Sequence, residues 1–147
     1  MSLIGHIEED LQTAMRARER ERTDTLRMIL ASLRAAEKEL LRPLKEDEEL
    51  QVLQRERKRR AEAADAFREG ARPEQAEKEE RELEVIQAFM PEPMSEEAIE
   101  QIIDDAIAET GATSLRDLGR VMADVMPQVA GRADGSTVSQ LVREKLA

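Results

Sequence analysis

No cysteine occurs among the 147 residues of the chain, which excludes disulfides, thiolate metal sites and thiol nucleophiles. Aromatic side chains make up 1% of the sequence, too few for the core of a β-sandwich or barrel. No apolar run approaches the roughly 18 residues that a membrane span requires. The opening residues, Met1 to Asp10, lack a basic region followed by an apolar run and so do not read as a signal peptide. A soluble, cytoplasmic protein is the expectation. What the sequence has in abundance is charge. Asp, Glu, Lys and Arg supply 38% of the residues and leave a net charge of −10. A field of that sign repels phosphate at long range, so any RNA contact must be confined to a local patch. Leucine, alanine, glutamate and arginine dominate, and all are good helix formers. The reading is all-α, and a compact chain of this length hides about two-thirds of its unfolded surface, enough for a real core.

Taken in order, Ser2 is placed to cap a first helix whose apolar stripe is Leu3, Ile7, Leu11 and Met15. The charged stretch from Arg16 to Arg22 follows, with Thr23 or Asp24 as the cap of a second helix. Leu26, Ile29, Leu30, Leu33, Leu40 and Leu41 give that helix its apolar face, and Pro43 stops it. Glu46, Asp47, Glu48 and Glu49 suit the positive start of a third helix. Its apolar positions (Leu50, Leu53, Ala64, Phe67) are sparse, which predicts a long helix packed on one side only. Gly70 and Pro73 mark its end and the start of a fourth helix, whose buried side is Leu83, Ile86 and Phe89. Pro91-Glu92-Pro93-Met94 excludes continued helix and reads as a linker. The expected division is a four-helix part over residues 1–93 and a three-helix bundle over 94–147.

The last third is the most specific stretch. Ser95 caps a fifth helix that carries Ile99, Ile102, Ile103, Ala106 and Ile107 and stops at Gly111. Ser114 and Asp117 resemble a capping box. Leu115, Leu118, Met122 and Val125 recur at helical spacing in the sixth helix. Gly119 inside that helix predicts the close approach of another backbone, and Pro127 is expected to end it. Gly131-Arg132-Ala133-Asp134-Gly135 lacks the GxxxxGK[ST] spacing of a phosphate loop. It reads instead as a turn with Gly131 left-handed and Asp134 capping the last helix.

The run GRVMADVMPQVAGRADGSTVSQLVREKL resembles the signature of the YqeY family, which is similar to the C-terminal tail domain of GatB. GatB is a subunit of the tRNA-dependent amidotransferase, a carbon–nitrogen ligase using glutamine as amido donor. Met1-Ser2-Leu3, Arg27 to Leu33 and Pro91 to Glu97 also match the free-standing YqeY pattern, so the resemblance spans nearly the whole chain. It implies a non-catalytic accessory that binds or handles tRNA, with tRNA or a protein of aminoacylation or amidation as partner. It implies no cofactor.

Within that resemblance, phosphate contacts would fall on Arg116, Arg120, Arg132, Arg143 and Lys145. Residues 91–147 nevertheless hold 5 Lys/Arg against 11 Asp/Glu. A second basic run, Arg55, Arg57, Lys58, Arg59 and Arg60, either neutralises RNA phosphates or is a solvated helix face balanced by Glu56 and Glu62. The acids Glu96, Glu97, Glu100, Asp104 and Asp105 match no carboxylate metal motif, and no metal is expected. His6 has no nucleophile in view, and no GxSxG, Ser–Lys or HExxH pattern appears. The acidic balance also admits an adaptor that docks on a basic protein through its third and fourth helices and touches no RNA.

Overall fold

The computed structural model describes residues 2–147. Among them there are seven α-helices and no strand. The chain divides into two compact units, Met1–Met90 and Pro91–Ala147.

In the first unit, α1 (Leu3–Arg16), α2 (Arg20–Leu40), α3 (Glu46–Glu69) and α4 (Pro73–Gln87) pack around one core. Ile4, Ile7, Ala14, Leu26, Ile29, Leu33, Val52, Leu53 and Ile86 are buried together. Ser2 Oγ accepts from Gly5 N at 3.1 Å and caps α1 as the sequence suggested. A buried carboxylate adds to it, because Glu49 of α3 accepts the Ile4 N–H at 3.1 Å. Burial pushes the Glu49 carboxyl up, against the pull of the backbone donors at Ile4 and Leu3.

The three corners of this unit share one geometry. Arg18, Leu41 and Ala71 each adopt a left-handed φ of 58°, 58° and 57°. After each, the next amide reaches back to a carbonyl five residues earlier: Glu19 to Ala14, Arg42 to Glu37 and Arg72 to Phe67. That pairing satisfies carbonyls that a helix end leaves open. It also corrects the expected boundaries. α2 starts at Arg20, so Thr23 and Asp24 lie inside it rather than at its cap. Leu40 and Leu41 are exposed, since α2 has ended and its chain is turning away from the core. Gly70 occupies the C-cap at an ordinary φ of −82°, and the left-handed position falls one residue later on Ala71. Met15 is 48% exposed, while the small Ala14 takes the buried place beside it.

In the second unit, α5 (Glu96–Thr110), α6 (Leu118–Val129) and α7 (Gly135–Leu146) enclose Ile99, Ile103, Val121, Val125, Val129, Val138, Val142 and Leu146. Ser95 Oγ caps α5 at Ala98 N, 3.2 Å away, and Gly111 ends it with φ 68°. The Ser114–Asp117 capping box is present around a short 3-10 turn, Leu115–Asp117. That turn displaces Leu115 from the predicted stripe and leaves it exposed.

Two expectations for α6 fail. Gly119 is exposed, and a Cβ there would meet nothing within 4 Å, so no backbone approaches it. Pro127 lies inside the helix instead of ending it. Its loss is one hydrogen bond near the C-terminus, and the fully buried Val125 and Val129 on either side hold the last turn in place. Gly131 is left-handed as read, with φ 73°. Asp134 stands at the N-cap of α7 by backbone position, but its carboxylate makes no cap bond and accepts from Ser136 Oγ at 2.5 Å.

Candidate nucleic-acid interface

The five cations of the second unit are held in several different ways. Arg120 projects from the first turn of α6 back to the end of α5. Its guanidinium donates to the Thr110 carbonyl at 3.2 Å and to Asp117 at 2.7 Å. Asp117 is held below the usual carboxylate range, chiefly by the Thr113 N–H and then by Arg120. Arg132, on the turn before α7, fastens the Pro91–Met94 segment to its own unit. Its Nε donates to Glu92 O at 3.0 Å, and its carbonyl accepts from Met94 N at 2.9 Å. Lys145 of α7 meets Asp104 of α5 at 2.9 Å, and that bond raises the Lys145 ammonium above its ordinary range. Arg143 makes only a long contact to Ser139 Oγ, 3.4 Å. Arg116 is exposed, and its side chain has no ion pair or hydrogen bond among the described residues.

The basic run of α3 is dispersed around the helix, as 3.6-residue spacing requires. Arg55, Lys58 and Arg59 are exposed and Arg57 is half-buried. Arg60 turns inward and is 11% exposed. It lies 3.2 Å from Glu56, 3.2 Å from Glu82 and 3.7 Å from Glu79. Glu56 also accepts from Ser32 Oγ of α2 at 2.9 Å. Burial raises the Glu82 carboxyl, and the neighbouring Glu79 raises it further. These residues of α3 and α4 thus form an internal charge cluster, with Arg60 as its cation. Glu56, expected on a solvated face, is buried because this cluster draws it in.

A different group of arginines opens to solvent at the α1–α2 corner. Met15, Arg18, Arg20, Thr23, Asp24 and Arg27 line a groove of about 530 Å³. The signal for it was the alternation of arginine from Arg16 to Arg22. Nothing in the sequence showed that a left-handed Arg18 would fold that run against Arg27.

Comparison with known proteins adds the following. A sequence model of the family described as Yqey-like protein matches residues 4–146. A protein of Pyrenophora tritici-repentis named altered inheritance of mitochondria protein 41, mitochondrial, is 30% identical over 97% of this chain and 80% of its own length. An uncharacterized protein of Schizosaccharomyces pombe is 32% identical over 62% of this chain and 74% of its own. A glutamyl-tRNA(Gln) amidotransferase subunit of Thermococcus gammatolerans is 39% identical over 57 residues, which is 36% of this chain and 9% of that protein.

Proposed function

The chain belongs to the YqeY family, and on that premise we propose that it is a non-catalytic accessory that handles tRNA in the service of tRNA-dependent amidation. The observation carrying this reading is the 39% identity with a segment of an amidotransferase subunit whose name specifies glutamyl-tRNA(Gln). The three-helix unit would grip the tRNA by shape and backbone, without reading bases. Its available cations are Arg116, whose side chain has no partner among the described residues, and Arg143, whose single side-chain contact is long. The Arg120–Asp117 and Lys145–Asp104 pairs are each exposed at one end, Arg120 and Asp104. Solvent screens such surface pairs, so phosphate can displace the carboxylate. Arg132 is the least free, because releasing it would also release Glu92. We place the protein in the cytoplasm; the mitochondrial wording of the Pyrenophora name belongs to that protein.

A second reading rests on a separate observation. The unit Pro91–Ala147 has a clear excess of acids, and Arg120, Arg132 and Lys145 are already engaged within it. An adaptor for a basic protein surface accounts for that balance with no RNA at all.

Titration of labelled tRNA at about 50 mM and about 200 mM salt separates the two. Two phosphate contacts would weaken binding about 12-fold across that range. Arg116→Glu/Arg143→Glu, which leaves Arg132 and its bond to Glu92 intact, is expected to abolish the salt-sensitive binding. Wild-type protein that fails to bind at the lower salt refutes the RNA reading and leaves the adaptor.

A further inference from the structure

We propose that the groove at the α1–α2 corner binds a nucleotide unit, with its phosphate on Arg18, Arg20 and Arg27 and its base against Met15. The site lies in the other unit from the cations of the tRNA reading and goes beyond it.

The local geometry begins at the end of α1. Ala17 caps the helix, Arg18 turns left-handed, and the amides of Arg18 and Glu19 bond back to Met15 and Ala14 at 3.1 and 3.0 Å. A non-glycine residue in that conformation is strained, because its Cβ crowds the following carbonyl. Here the position holds an arginine, which lines the groove together with Arg20 and Arg27. Neither the Arg18 nor the Arg20 side chain has an ion pair or hydrogen bond among the described residues. Arg27 approaches only the Met15 sulfur, 3.9 Å away.

Two of the nearby acids are turned to other arginines, while Glu19 stays exposed between Arg18 and Arg20 in the chain. Glu21 is engaged by Arg81 at 2.6 Å, and Asp10 lies 3.6 Å from Arg22. Asp24 is the one acidic residue lining the groove, against three arginines. Residues 15–27 therefore carry a local positive excess, five arginines to three acids, inside a chain of net charge −10.

Two features select a nucleotide over a bare anion. Guanidinium groups present planar forks that match phosphate and also stack on bases. Met15 adds an exposed, polarizable apolar surface that accepts the face of a ring. The volume, about 530 Å³, lies in the range of small-molecule sites. The same chemistry is offered by a free nucleotide and by one residue of an RNA strand.

Isothermal titration of the full chain with ADP, and separately with tRNA, distinguishes these sources. The variants are Arg20→Ala/Arg27→Ala and Arg18→Gly. Arg18→Gly removes a guanidinium while relieving the left-handed strain, so a loss of binding there is not a loss of fold. Each arginine removed is expected to weaken binding about tenfold. Weakening toward either ligand supports the site. If ADP binds and tRNA does not, the site stands and the tRNA reading falls. Binding of tRNA that is unchanged in both variants, with none of ADP, overturns the site and leaves the tRNA reading intact. Failure of the wild type to bind either ligand overturns the site as well.

Discussion

Arg59 and Arg60 are neighbours in one basic run, and their environments predict opposite outcomes on truncation. Arg60 is 11% exposed and faces Glu56, Glu79 and Glu82, all at 3.7 Å or less. Arg60→Ala would leave three carboxylates together in a site that water barely reaches. Removing one partner of a buried ionic group costs about 3–5 kcal/mol, because the remaining charge is stranded. With a urea slope of about 2 kcal/mol/M, the midpoint should fall by about 2 M. Arg59 is 69% exposed and lies 3.5 Å from Glu56; its truncation should change stability by less than about 0.5 kcal/mol. The chain has no tryptophan or tyrosine, so unfolding is followed by far-UV circular dichroism. Hydrogen exchange at the buried amides of α2 and α3 then assigns the transition to the unit Met1–Met90. The pH dependence is a second check. Without Arg60 the folded Glu82 carboxyl rises further above its unfolded value. The penalty is then full above the folded pKa and disappears as pH falls below the unfolded one, about 4.3. A cost under about 1 kcal/mol near neutral pH, or one that grows in acid, would refute the reasoning.

Glu82 itself supplies another test. Burial, and then Glu79, raise its folded carboxyl above the unfolded value, so the wild type should lose stability as pH rises through the carboxylate range. Glu82→Gln should flatten that part of the stability–pH curve, and a curve identical to wild type would remove Glu82 as the cause. Leu41→Gly addresses the corners: Leu41 is 89% exposed with φ 58°, so the change forfeits almost no burial and relieves left-handed strain. A gain of about 0.5–1 kcal/mol in urea unfolding is expected after the added unfolded-state entropy of glycine is subtracted, and a net loss would sink the account.

Much of the fold was legible because its local signals are also its structural causes. Ser2 and Ser95 cap the helices they were expected to cap, Pro73 opens α4, and Gly111 ends α5 with a left-handed turn. The corners of the first unit were less legible because the usual punctuation is missing or displaced. An arginine, a leucine and an alanine occupy positions that favour glycine, and Gly70 stands one residue early. Pro127 misled for a related reason. Its local cost is a single bond, whereas Val125 and Val129 are fixed by the core of the whole unit. Gly119 carried an inference about packing that its exposed position does not support.

The candidate site was harder to read, because the sequence names cations but not what they face. Two residues of the same type and one position apart, Arg59 and Arg60, differ by the side of α3 on which they fall. In a chain with ten more acids than bases, most arginines find an internal carboxylate or carbonyl. Those that do not are the informative ones. Arg116 in the second unit and Arg18 and Arg20 in the first have no side-chain partner among the described residues. Their positions are set by a 3-10 turn and by a left-handed corner, neither of which hydrophobic periodicity reveals. A long-range field that repels polyanions confines any attraction for phosphate to local groups of unengaged cations such as these. Binding there should therefore be short-ranged, strongly dependent on salt and lost by changing one or two side chains. Broad, non-specific affinity for RNA that survives those substitutions would contradict the charge distribution of the whole molecule.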